Sequence, residues 1–302
     1  MESTSRVSAV ITTHGRLELL KKAIESVKKQ TYPNIELFVI DDCSEDGTRQ
    51  WAQGQTGFVY SYIPKAESKG GNYARNRGIA LSHGKYVAFL DDDDTWEPEK
   101  IQKQVALIES NEKLGFVYCG SNICFPDGRV IPGPAPTCRG DVSKKALTTI
   151  FALTSTLLVR RDLLDQAGGF DEDLGFWQET ELIMRLAQIC ETDFVPEPLL
   201  NLLQAPAKAD PERLTTKLDA WLKAVQYIEQ KHQALLAGLS PEEKKERQLL
   251  IYRDAANRCL LSGQRKKRRY YKKQIFLLKP NLRTFVAYVF GIDRLWLQMR
   301  GY

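Results

Sequence analysis

The chain has 302 residues, 43% of them apolar and 27% charged, a balance that excludes wholesale disorder and collagen-like repetition. Six cysteines form no C-x-x-C pair and only three histidines are present, so a zinc site or a disulfide framework is not expected, and the cysteines read as reduced packing residues. The net charge of +5 hides an asymmetry: residues 264–302 hold eleven Lys or Arg and one Asp, a net of +10, which leaves the first 263 residues at −5.

The N-terminus lacks the charged-then-apolar pattern of a signal peptide, and no apolar run reaches bilayer-spanning length. The expected location is the cytoplasm, or a peripheral position on the cytoplasmic face of a membrane. An apolar run at 7–11 reads as a buried strand ending in Thr12-Thr-His-Gly-Arg16. Leu19, Leu20, Ala23, Ile24 and Val27 then recur at helical spacing, predicting a helix over 17–30. A second strand spans 35–40 and closes on Asp41-Asp42. A turn at 44–47, a short helix at 48–53 and a third strand at 58–63 follow. A Ser-Lys-Gly-Gly loop at 68–71 leads into a helix over 72–82. The fourth strand, 85–90, runs straight into four consecutive aspartates at 91–94.

Further on, a helix at 98–111 and a strand at 114–119 are expected. Segment 120–150, with Pro132-Gly-Pro-Ala-Pro136, reads as loop or hairpin. A strand at 154–159, a helix at 160–167, a Gly168-Gly-Phe170 turn and a helix at 179–190 come next. From 211 to 261 the pattern is helical, broken near 238–241. A boundary is expected near residue 205, dividing an α/β part, 1–205, from a helical extension, 206–302.

Alternating strands and helices predict a mostly parallel sheet, and such sheets bind ligands beyond the carboxyl ends of their strands. Three strand ends here carry Thr12 to Arg16, Asp41-Asp42 and the four aspartates, which places several carboxylates in one crevice. Adjacent carboxylates repel unless a cation or solvent compensates them. In extended backbone Asp91 and Asp93 would share a side, which suits an oxygen-ligated Mg²⁺ or Mn²⁺ shared with a diphosphate. A solvated acidic turn before the next helix is the competing reading. Asp41 and Asp42 can accept hydrogen bonds from a base or ribose, or shape an Asx turn. Arg75 and Arg77 can meet phosphate or hold the acids together. Neither G-x-x-x-x-G-K-[ST] nor G-x-G-x-x-G is present, so P-loop and dinucleotide readings fall away.

The stretches 10–16, 35–48, 70–78, 86–96, 168–172 and 178–185 occur in an order that resembles a family-2 glycosyltransferase of the GT-A fold, over the first 200 residues. The resemblance implies an α/β fold: a nucleotide-binding, Rossmann-like, mostly parallel sheet flanked by helices, with a C-terminal helical extension. It implies that Thr12, His14 and Arg16 occupy the nucleotide-facing loop, that Asp42 hydrogen-bonds the base, usually uracil, with Asp41 beside it, and that Arg75 lines the nucleotide. Asp91 and Asp93 match the D-x-D element, Asp93 as the direct metal ligand and Asp91 nearer the ribose, with Asp92 and Asp94 inside the same element. Glu179 stands where the family usually places a catalytic Asp; Glu181 is the rival for that role, or would orient the acceptor.

The implied reaction is Mn²⁺- or Mg²⁺-assisted transfer, with inversion, of a sugar from a nucleotide diphosphate donor to a glycan or lipid-linked glycan. A nucleotide-sugar binder or scaffold without turnover is the alternative, and the intact acidic run and Glu179 argue against it. The chain departs from the family's Pro-Thr-Tyr-Asn, which is Thr12-Thr-His-Gly15 here, and has Gln204-Ala-Pro-Ala where many members carry Arg or His.

The densest basic stretch, 265–273, is followed by Ile275, Phe276, Leu277, Phe285, Leu295 and Trp296. Basic charge beside interfacial apolar residues suits an anionic membrane surface; a solvated helical face is the other reading. No recognition helix or zinc finger points to nucleic acid.

Overall fold

A computed structural model describes residues 4–204 and 217–290. Two units emerge, one built from residues up to 146 together with 150–205, the other from Leu147–Thr149 and the described residues after 206. The expected helix start at 211 and the apolar positions Leu295 and Trp296 lie outside the described residues, as do the residues just after Gln204.

In the first unit every residue of β1 (Val7–Thr13) is buried, as a strand covered on both faces requires. β1 pairs in parallel with β2 (Ile35–Asp42), which α1 (Leu17–Lys28) connects to it. α2 (Thr48–Gln53), β3 (Val59–Ile63), α3 (Gly71–Leu81) and β4 (Tyr86–Asp91) continue the alternation. β3 pairs with β2 and β4 with β1, all in parallel.

The remaining elements are β5 (Thr95–Trp96), α4 (Lys100–Glu109), β6 (Leu114–Cys124), β7 (Val130–Pro132), α5 (Lys145–Thr148), a 3₁₀ turn (Thr154–Thr156), β8 (Leu158–Arg160), α6 (Arg161–Ala167), α7 (Gln178–Leu186) and β9 (Glu191–Leu203). The sheet order is β3-β2-β1-β4-β8-β6-β9-β5, with β7 on β6 as a hairpin. β8 runs antiparallel to β4 and β6, while β6 and β9 are parallel.

Side-chain alternation builds a core on each face of this sheet. Val7, Ala9 and Ile11 of β1 join Ala88 and Leu90 of β4 beneath α1 and α4. Val10, Val87 and Phe89 point the other way, toward α3, α6 and α7. Each fully buried aliphatic or aromatic side chain contributes about 1.5–3 kcal/mol, so the strands are anchored from both sides.

Three differences from the expected elements have physical causes. Residues 154–156 form a 3₁₀ turn rather than strand because the Thr156 hydroxyl and Leu153 backbone bond to each other. α7 stops at Leu186 because the chain turns at 187–190 to enter β9. β9 itself was not expected: Pro196 and Pro198 interrupt it, and register shifts opposite Gly120 absorb them.

The second unit comprises α8 (Leu218–Lys231), α9 (Gln233–Ala237), α10 (Pro241–Leu261), α11 (Arg265–Leu278) and α12 (Leu282–Phe290). α8 buries Leu218, Trp221, Val225 and Ile228 along one stripe. α10 starts at a capping box in which Ser240 and Glu243 bond reciprocally, with Pro241 in the first turn. The helical run breaks at His232 as well as at Gly238.

Register sets the catalytic edge. Asp41 lies opposite Thr13 and Asp91 opposite Thr12, so the carboxyl ends of β1, β2 and β4 are level. α3 reaches this edge only because Gly78 lets it close on β1: a Cβ there would stand 2.3 Å from Val10 Cγ1. Gly78→Ala should therefore cost about 1–3 kcal/mol through overpacking, measured as a lower midpoint in urea unfolding at unchanged slope.

Candidate active site

β4 ends at Asp91, and the backbone then turns, with Asp94 N–H donating to the Asp91 carbonyl at 3.1 Å. The aspartates are therefore not in the extended backbone that the sequence reading assumed. The turn sorts them all the same. Asp92 and Asp94 are 0% and 4% exposed, whereas the Asp91 and Asp93 side chains keep 32% and 24% exposure.

Each buried carboxylate has dedicated partners. Asp92 Oδ2 accepts from Thr13 Oγ1 at 2.6 Å and from Arg16 Nε at 3.2 Å, and Arg16 Nη2 pairs with Asp92 Oδ1. Asp94 Oδ2 accepts from Ser155 Oγ at 2.7 Å, and Asp94 Oδ1 from Leu203 N–H at 3.3 Å. Burial pushes the Asp92 carboxyl up to about 6, with Arg16 and Thr13 pulling it back. Burial, with Asp91 and Asp93 adding, raises Asp94 well above the ordinary range.

The exposed pair is held from the side. Arg75, buried on α3, donates from Nη2 to Asp91 Oδ1 at 2.6 Å. Arg16 Nη1 donates to Asp93 Oδ2 at 2.8 Å. Burial works against the Arg16 charge, but Asp92, Asp93 and Asp91 outweigh it and raise its pKa. Thus Arg16 braces the acids. Thr12 is buried at the end of β1 between Ile40 and Asp91.

Beneath the acids lies a polar scaffold. Ser155 Oγ also accepts from Asp91 N–H at 3.1 Å, and the Ser155 carbonyl accepts from Trp96 Nε1 at 2.9 Å. Gln104 Nε2 donates to the Thr156 carbonyl and Gln104 Oε1 accepts from Lys100 Nζ at 2.7 Å. That ammonium, fully buried and pushed down to about 8 by burial, lies 4.1 Å from the Trp96 ring centroid.

The loops after β1 and β2 are stitched together. His14 Nδ1 donates to the Asp42 carbonyl, which fixes that nitrogen as the protonated one in the neutral ring. Gly15 N–H donates to Ser44 Oγ at 2.8 Å and Leu17 N–H to Asp46 Oδ2 at 2.9 Å. Asp41 is spent internally: its oxygens accept from Ser44 N–H and Tyr60 Oη. Asp42 differs, since its Oδ1 is buried and has no hydrogen-bond partner among the described residues. Buried acceptors are rarely left unpaired in folded proteins, so this atom is a ready contact for a donor N–H.

A chain of contacts leads from Asp91 toward α7. Arg75 Nη1 donates to Asn72 Oδ1, and Asn72 Nδ2 donates to the carbonyls of Asp171 and Leu174 at 2.7 Å each. Asn76 exchanges two bonds with the Phe170 backbone. The loop held this way ends at Trp177, which adopts φ 54° as N-cap of α7. Glu179 is half-buried in the first turn that follows. Glu181 is fully buried and clamped by Arg185 Nε and Nη2, so it shapes the loop that Arg185 also grips through Gly169.

Cys43 and Trp177 are the two non-glycine residues with positive φ among the described residues. One follows Asp42 and the other precedes the Glu179 turn, and strain of this kind gathers at functional sites.

Residues 8–168, more than half of the chain, match the profile described as Glycosyl transferase family 2. The chain belongs to that family.

Curated relatives of this family-2 chain include the putative teichuronic acid biosynthesis glycosyltransferase TuaG of Bacillus subtilis, 31% identical over 40% of this chain and 49% of TuaG. An uncharacterized glycosyltransferase of Rickettsia prowazekii is 30% identical over 65% of this chain and 63% of that protein. The chain thus spans about half to two-thirds of the length of these relatives. The Escherichia coli enzyme WfgD, named UDP-Glc:alpha-D-GlcNAc-diphosphoundecaprenol beta-1,3-glucosyltransferase, is 33% identical over 37% of this chain and 44% of WfgD.

Among solved structures, S. aureus TarS 1–349 in complex with UDP-GlcNAc superposes with TM-score 0.63 at 17% identity, covering 97% of this chain and 81% of TarS 1–349. The mannosyltransferase PcManGT from Pyrobaculum calidifontis, in complex with GDP-Man and Mn²⁺, gives 0.60 at 17% identity, covering 100% and 85%. At that identity the likeness speaks for the fold, which is GT-A.

Thr13, Ser155, Tyr60 and Asn72, which fix the acidic groups, are not among the residues expected at the site from the sequence. Only Ser155 left a trace, as the centre of a polar Thr154-Ser-Thr156 triplet inside an apolar stretch. Ser155→Ala should lower stability by about 1–3 kcal/mol, because it strands the Asp94 carboxyl and the Asp91 N–H. Ser155→Thr should restore more of that stability, measured by urea unfolding, than Ser155→Cys.

Proposed function

We propose that this chain is a metal-dependent, inverting glycosyltransferase that moves a sugar from a UDP-sugar donor to a hydroxyl of a lipid-linked glycan in surface polysaccharide synthesis. The observation that carries this reading is the sorting of the four aspartates. Two are buried and partnered, and two remain open at a strand end beside Asp42, whose buried Oδ1 lacks a partner.

Asp42 receives the N3–H of uracil, and the stitched loops carrying His14 hold the base against it. Arg75 and Arg16 keep Asp91 and Asp93 in place for a divalent cation, Mn²⁺ or Mg²⁺. The fit is one of chemistry. Both groups are hard carboxylate oxygens, each with one oxygen engaged by an arginine, and Mg²⁺-type ions take one or two carboxylates plus phosphate oxygens and water. No group of three His, Cys, Asp or Glu residues suited to a metal occurs among the described residues; Asp91 and Asp93 would hold such an ion together with the donor. Such an ion offsets charge building on the departing diphosphate.

Glu179 takes the proton from the acceptor hydroxyl as its oxygen attacks the anomeric carbon. The bond from that carbon to the phosphate oxygen breaks on the opposite face, giving inversion and releasing UDP. Support for the donor comes from TarS with UDP-GlcNAc, and for a lipid-linked acceptor from the name of WfgD. A lipid-linked acceptor sets the reaction at the cytoplasmic face of a membrane.

Asp93→Ala should remove the Mn²⁺-dependent part of UDP-sugar affinity in calorimetry; an undiminished Mn²⁺ dependence in the variant would take Asp93 out of the cation site. Glu179→Gln should reduce turnover by roughly 100- to 10,000-fold while donor affinity stays nearly constant. Lost affinity with normal turnover would show that Glu179 binds donor instead.

A further inference from the structure

Helices α11 and α12 form a hairpin whose inner face is settled. Phe276 packs against Phe285 at 5.8 Å and Tyr288 at 6.3 Å between ring centroids. Lys272, buried on α11, donates from Nζ to the Ala287 carbonyl at 3.2 Å. The connecting turn is fixed by reciprocal bonds between Asn281 and Thr284.

The outer face is apolar and open. Leu282 and Val289, two turns apart on α12, are 78% and 44% exposed, Phe285 at the edge of the inner face keeps 43% exposure beside its contact with Phe276, and Leu277 at the end of α11 is exposed too. A stripe of this kind marks an interaction surface. Around it the charge has one sign: nine Lys or Arg and no Asp or Glu lie between Arg265 and Phe290. Exposed Lys279 and Arg283 flank the turn, and Arg265, Lys266 and Lys273 stand out on α11.

We propose that this hairpin docks on an anionic lipid bilayer, with α12 lying in the interface plane. Leu282, Phe285 and Val289 enter the headgroup boundary while the basic residues meet lipid phosphates. A second copy of the chain is a poor occupant, since two surfaces of this charge repel. No described helix is long and apolar enough to cross a membrane. The inference rests on the transferase reading only for its purpose, which is to hold the enzyme where a lipid-linked acceptor lies.

The test is co-sedimentation of the full chain with vesicles of phosphatidylcholine alone or of equimolar phosphatidylcholine and phosphatidylglycerol. Binding should need phosphatidylglycerol and fall with salt. Arg265→Gln/Lys266→Gln/Lys273→Gln should bind at least tenfold more weakly. Leu282→Ser/Val289→Ser should bind severalfold more weakly with its salt dependence kept, and circular dichroism should show both variants folded. Absent or lipid-independent binding of the wild type overturns the proposal, whatever the variants do. So does self-association that depends on Leu282 and Val289 without vesicle binding. Sugar transfer to a soluble acceptor, assayed alongside, separates the claims: transfer without vesicle binding refutes docking alone, and vesicle binding without transfer refutes the transferase reading alone.

Discussion

The site depends on how four consecutive carboxylates are kept from repelling one another. Two are taken out of solvent and tied to Thr13, Arg16, Ser155 and the β9 backbone. That leaves a local excess of only two open carboxylates, each steadied by one arginine. Burial without partners would have cost several kcal/mol per charge. With them, Asp92 and Asp94 become the footing on which Asp91 and Asp93 stand. The turn at 91–94 is thus as much a consequence of electrostatics as of backbone preference.

From this footing the rest of the catalytic edge follows. Arg75 touches Asp91, Asn72 touches Arg75, and Asn72 holds the loop that delivers Trp177 and Glu179. The acids and the loop before α7 are thus joined by a continuous run of hydrogen-bonded groups. On the other side, the loops after β1 and β2 share His14, Ser44 and Asp46, which leaves Asp42 as the carboxylate with spare capacity.

Much of the fold was legible because it is local. The apolar run at 7–11 and the helical spacing over 17–30 can be read residue by residue, and they recur in the structure as β1 and α1. β9 was hidden because its two prolines break the pattern that marks a strand, and the extra residues at the register shifts opposite Gly120 lie in β9 itself. At the site, the acidic residues announced themselves by type and position. Their partners did not, because Thr13 meets Asp92 across 79 positions and Ser155 meets Asp94 across 61. No local spacing encodes such contacts. The same limit explains Arg16 and Asp41: their loops were readable, but their commitment to internal partners was not.

Anomalous diffraction from crystals grown with Mn²⁺ and UDP tests the division of the aspartates most directly. The account predicts one manganese peak about 2.1 Å from an oxygen of Asp91 or Asp93, on the phosphate side, with the uracil N3 on Asp42 Oδ1 and with Asp92 and Asp94 still in their buried bonds. A peak coordinated by Asp92 or Asp94, or a bound nucleotide with no manganese beside it, would contradict it.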